Sequence, residues 1–134
     1  MYCVSDAMTR DPVTVAPSDT LEHARTLMRL GRIRHLPVVT DGKLAGLLSS
    51  REVSAGHGKL VRDVMVTQPL TAAPGHLLRK AARTMYQQKI GCLPVVAADF
   101  KLLGIITESD FVRFAADMAT ELDRIEAMAH QAGR

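Results

Sequence analysis

The sequence predicts an α/β (α+β) chain of two tandem β-α-β-β-α repeats, packed about a pseudo-twofold axis and carrying an extended C-terminal helix. Three observations lead there. The stretch IGCLPVVAADFKLLGIITESDF, Ile90 to Phe111, nearly copies IRHLPVVTDGKLAGLLSSREV, Ile33 to Val53. Each copy follows an apolar stripe of helical spacing, Leu21, Ala24 and Met28 before the first and Leu78, Ala81 and Met85 before the second. Neither repeat is long enough to bury its own hydrophobic face, so the two must share a core.

The elements follow in order. Residues 1–54 form the first repeat and open with a leader in which Val4, Asp6, Met8 and Pro12 recur later as Val61, Asp63, Met65 and Pro69, an offset of 57. Val13-Thr14-Val15 is a β-branched run stopped by Ala16-Pro17 and reads as a strand. Ser18 or Asp19 then caps a helix, with Glu22 answering Asp19 as in a capping box, and the helix ends near Gly31. Leu36-Pro37-Val38-Val39 is a strand whose proline is tolerated at its start or edge. Asp41-Gly42 supplies the positive-φ pair of a tight hairpin turn, and Leu44 to Leu48 returns. Gly46 marks a place where a backbone or a ligand approaches closely.

Ser49 to Val53 opens a helix that Gly56 and Gly58 cut short, which leaves residues 55–60 as a linker. The second repeat, 61–114, restarts the cycle with Leu70-Thr71-Ala72 as its first strand. Between Gly46 and Gly104 the offset is 58, so the second hairpin turn holds one extra residue, a change that leaves strand pairing intact. Residues 115–134 continue the last helix. Phe111, Phe114, Met118, Leu122, Ile125 and Met128 make one apolar stripe, longer than a repeat can cover, which points either to an extended helix lying on its own core or to a subunit contact.

Composition narrows the function. The 17 Lys and Arg against 14 Asp and Glu give a net charge of +3, spread without a basic run, so a nucleic-acid surface is not indicated. A modest positive excess still suits a phosphorylated small ligand. Cys3 and Cys92 match no metal-ligand spacing and read as free thiols of a reducing compartment. No hydrophobic run approaches the roughly 20 residues of a membrane span, and MYCVSDAMTRDP lacks signal-peptide design, so a cytoplasmic protein is expected. Catalytic signatures are missing: there is no GxxxxGK[ST], no nucleophile elbow and no HExxH, and Ser49, Cys92 and Thr107 have no identifiable partner base. His23, His57, His76 and His130 show no ligand spacing and read as surface residues.

The doubled pattern of Asp-x-Met, Leu-Pro-Val-Val and Gly-h-h-[Ser/Thr]-x-x-[Asp/Glu], with h aliphatic, resembles a pair of CBS (cystathionine-β-synthase-type) domains, a Bateman module, over residues 2–114. The resemblance implies a regulatory module that holds AMP, ADP, ATP or S-adenosylmethionine in the cleft between the repeats. It also implies a flat homodimer, an effector protein acted on in trans, and no required cofactor. A ligand-free interaction module or a nucleic-acid-associated regulator is the alternative.

The Thr107-x-x-Asp110 chemistry suits an adenosine ligand on its own terms. A carboxylate accepts two ribose hydroxyls, and a hydroxyl at a helix N-terminus stands beside free amides that favour phosphate. Alone, the same residues read as an N-cap and its N3 partner. The resemblance places Thr107, Ser109 and Asp110 opposite Val13, Ile33, Arg34 and His35, with Ala7 nearby, as the dominant nucleotide pocket; Arg34 and His35 would serve phosphate. A second, weaker pocket would take Ser49, Glu52, Ile90, Gly91 and Cys92, with no cation for phosphate.

Overall fold

The computed structural model describes residues 1–55 and 58–133. Gly56 and His57, within the expected linker, lie outside the described residues, as does Arg134. Each repeat is built round an antiparallel hairpin. In the first, β2 (His35–Thr40) pairs with β3 (Lys43–Ser49), and in the second, β4 (Cys92–Val96) pairs with β5 (Leu102–Thr107). The helix α1 (Leu21–Gly31) precedes the first hairpin and α4 (Leu78–Gln88) the second. A short α2 (Ser50–Ala55) follows the first hairpin, and α5 (Glu108–Ala132) follows the second. Asp41 and Gly42 both take positive φ, as the tight turn demands, while the longer second turn places Phe100 there instead.

The two leaders cross over. The first contains a single 3-10 turn, Val4–Asp6, and a two-residue strand β1 (Thr9–Arg10) that pairs not with its own hairpin but with β5, Thr9 opposite Ile105 and Arg10 opposite Gly104. The second contains α3 (Val61–Val64) and then Val66, which exchanges backbone hydrogen bonds of 2.9 and 3.0 Å with Leu47 of β3. Glycine permits both approaches. A Cβ on Gly104 would stand 2.6 Å from the Thr9 carbonyl oxygen, and one on Gly46 would stand 2.9 Å from that of Val66. What approaches Gly46 is the second leader, through the Met65 side chain and the Val66 backbone.

Packing follows the crossing. One core gathers Val4, Ala7 and Met8 with Ala72, Leu78, Ala81, Met85, Leu93, Val95 and Ile106. The other gathers Val61 with Val15, Leu21, Ala24, Met28, Leu36, Val38, Leu48 and Val53, and Val64 and Met65 pack against it. Each repeat thus has its core completed by the leader of the other. The hairpin tips also meet, where the amide of Leu44 donates to the carbonyl of Phe100 and that of Leu102 to Gly42, both at 3.0 Å.

Three local expectations are corrected. The expected strands Val13–Val15 and Leu70–Ala72 reduce to single parallel bridges, Val15 to Val38 and Ala72 to Val95, because only those residues reach a neighbouring strand while Val13 and Leu70 face solvent. Helix α1 is capped by Thr20, whose hydroxyl accepts the His23 amide at 3.0 Å. Asp19 turns back to accept the Ala16 amide at 2.8 Å and so closes the preceding turn. No helix among the described residues is long and apolar enough to cross a membrane.

Candidate functional site

The strand starts and helix starts of both repeats converge. Ser50 opens α2 by donating its amide to the Arg34 carbonyl at 2.8 Å, and Glu108 opens α5 by donating to the Gly91 carbonyl at 3.2 Å. These equivalent contacts bring each acidic helix start beside the residues that precede Leu-Pro. His35 reaches across the seam to the other repeat, since a Cβ on Gly91 would lie 2.9 Å from its Cε1 and Nε2.

Around Asp110 the chain assembles a dense polar cluster. The carboxylate is 3% exposed. Its Oδ2 accepts the Thr107 amide at 2.9 Å and the Thr107 hydroxyl at 3.3 Å. Its Oδ1 accepts the Thr9 hydroxyl at 2.7 Å and Arg113 Nη2 at 3.1 Å, and the same Arg113 nitrogen donates to the Ala7 carbonyl at 3.0 Å. Thr107 and Asp110 are thus in contact, and Arg113 links Asp110 to the Ala7 carbonyl. Thr9 and Arg113 escaped the sequence reading, and their signal was a mismatch at repeated positions: the other copy has Val66 and Ala55 there.

The remaining expected members are distributed differently. Val13 is exposed, Ser109 is exposed on the first turn of α5, and Ile33 packs on the first core beside a groove of about 390 Å³ that it shares with Arg25, Arg29 and Ser50. Ile90 likewise turns into the second core. His35 stands at the seam rather than facing Asp110 alone, with Glu52 the stronger of its two carboxylate neighbours and Glu108 the other. Ser49 donates its hydroxyl to Glu52, and Glu52 in turn acts on Cys92. The Glu52 carboxylate thus stands beside His35 of its own repeat, with Arg34 also near that imidazole, while the facing strand entrance, Gly91 and Cys92, brings no cation.

Electrostatics follow from burial. Cys92 is pushed up to about 12, chiefly by burial and further by Glu52, so it stays a thiol and serves packing. Burial lowers the pKa of His35 from its ordinary 6.5; Glu52 and Glu108 oppose this, and Arg34 adds to it. The folded state thus binds the His35 proton less readily than the unfolded state. Stability is intact above the unfolded value of 6.5 and declines as pH falls through the lower folded pKa. The melting temperature should drop as pH falls below the unfolded value of 6.5, and His35→Gln should flatten that part of the profile. An identical pH profile in the variant would contradict the assignment. Among the described residues no group of His, Cys, Asp and Glu side chains is placed to hold a metal ion.

The fold and this seam define a duplicated α/β module in which the strand starts and acidic helix starts of both repeats meet. A family model for the CBS domain matches residues 4–55 and 61–117, and the chain belongs to that family, carrying the domain twice. The AcuB protein of Vibrio cholerae superposes with a TM-score of 0.86 at 39% identity, over 92% of this chain and 97% of that one. CBSX2 of Arabidopsis thaliana, solved in complex with AMP, gives a TM-score of 0.83 at 33% identity, over 89% and 99%. An inosine-5′-monophosphate dehydrogenase of Korarchaeum cryptofilum is 40% identical over 114 residues, which cover 83% of this chain and 24% of that enzyme. The chain spans less than half the length of the curated relatives it matches.

Proposed function

We propose that this CBS pair is a regulatory module that binds an adenosine-containing ligand between its repeats and passes the change in shape or stability to a partner protein in trans. The observation that carries the reading is the Glu52 carboxylate. It is half-buried at the seam, and among the described residues it receives one side-chain donor, Ser49. Acceptor positions are left over for the paired hydroxyls of a ribose. Arg34 supplies a cation for a phosphate on the same side, His35 adds an imidazole N–H donor, and the AMP-bound relative supports the ligand class. The reading assigns no catalytic step. It reverses the expected ranking of the clefts, since Asp110 is fully engaged within the chain.

Titration calorimetry with AMP, ATP and S-adenosylmethionine tests the proposal. One of these should bind the parent chain and raise its melting temperature, as any ligand of the folded state must. Glu52→Ala should weaken binding by roughly tenfold or more, the cost of losing a charge-assisted contact. Absence of binding by all three at millimolar concentration, or full retention in Glu52→Ala, would refute it.

A further inference from the structure

The Asp110 carboxylate is already engaged within the chain at every position a ribose would need. A carboxylate offers about four lone-pair sites, and the Thr9 hydroxyl, Arg113, the Thr107 amide and the Thr107 hydroxyl fill them. The second half alone is arranged this way. Thr9 lies across from Ile105 as Val66 lies across from Leu47, so the position is equivalent and the hydroxyl is not. The offset of 58 puts Ala55 where Arg113 stands. Neither Val66 nor Ala55 has a side-chain donor, and among the described residues the side-chain donor to Glu52 is Ser49.

We propose that Thr9 and Arg113 form an internal clasp on Asp110, so that this cleft admits a vicinal diol only when the clasp lets go, and the parent chain binds one adenosine ligand, at Glu52. The inference rests on the adenosine reading above. Arg113 is the part that moves: its side chain is 57% exposed and can swing into solvent, while the buried Asp110 carboxylate keeps its other donors. Thr9 is held by its backbone pairing with Ile105, so its hydroxyl rotates away while the residue stays.

The test gives the second half what the first half carries. Arg113→Ala and Thr9→Val reproduce Ala55 and Val66, and Thr9→Ser restores the hydroxyl. Calorimetry uses adenosine, whose lack of phosphate removes any direct use of Arg113 by the ligand, and AMP on the parent chain as reference. One equivalent is expected for the parent and Thr9→Ser, and two for Arg113→Ala and Thr9→Val, with affinity at the new site raised about tenfold. A merely structural role would change the melting temperature without changing stoichiometry. Should Thr9→Val fail to fold, the exposed Arg113 position decides alone. Parent binding with no second equivalent in Arg113→Ala overturns the clasp and leaves the functional reading standing, as do two equal events in the parent. No binding by parent or variants removes both.

Discussion

Val4→Ala should lower the free energy of unfolding by about 2 kcal/mol, Val61→Ala by about 2, and the double variant by about 4, all in one cooperative transition. Both side chains are fully buried. Losing two methyl groups from a packed site removes roughly 0.8 kcal/mol each in transfer and leaves a cavity besides. The effects should add because Val4 and Val61 sit in different cores, and the transition should stay single because each belongs by sequence to one repeat and by packing to the other. Guanidinium denaturation followed by probes placed in each repeat checks this. Two separated transitions, or a double variant no worse than either single one, would contradict it. Against the 5–15 kcal/mol typical of a domain, a loss of about 4 is decisive.

Leu122→Asp should convert a homodimer to a monomer in sedimentation at micromolar concentration. Phe111 and Phe114 pack on the second core, and Phe114 makes an edge contact with Tyr2 at 4.9 Å. Beyond them α5 runs on for about 27 Å at 1.5 Å per residue. Leu122, Ile125 and Met128 are 66, 53 and 63% exposed on that extension. Most helical stability in proteins comes from packing of an apolar face, so we expect a second copy to cover the stripe. A parent chain that sediments as a monomer would sink the assignment, and a Leu122→Asp dimer as tight as the parent would move the interface elsewhere.

Much of this was legible in the residues. The duplication, the Asp41-Gly42 turn, the helical stripes and the long last helix follow from local patterns whose physical causes are local. The crossing of the leaders was not, because Val4-x-Asp-x-Met and Val61-x-Asp-x-Met suit either hairpin equally well, and nothing within a repeat says which copy its leader joins. That ambiguity propagated to the site. Thr9 reaches Asp110 only through the crossing, and His35 meets Gly91 only where the two repeats touch. The caps failed for a smaller reason: Ser18, Asp19 and Thr20 are all good N-caps, and competition between the turn and the helix for Asp19 is settled by geometry.

The exchanged leaders also constrain the order of assembly. A chain emerging from its N-terminus has Val4, Ala7 and Met8 in hand long before Leu93, Val95 and Ile106, the residues that bury them, have been made. The first hairpin likewise waits for Val61. Such sequence-distant contacts carry a loop-closure cost before they return any stability, which slows folding. During that interval each leader is a loose apolar strand that a neighbouring copy can accept in place of its own. Folding at high concentration should therefore yield a fraction of swapped dimers, distinct from the α5 pair in surviving Leu122→Asp.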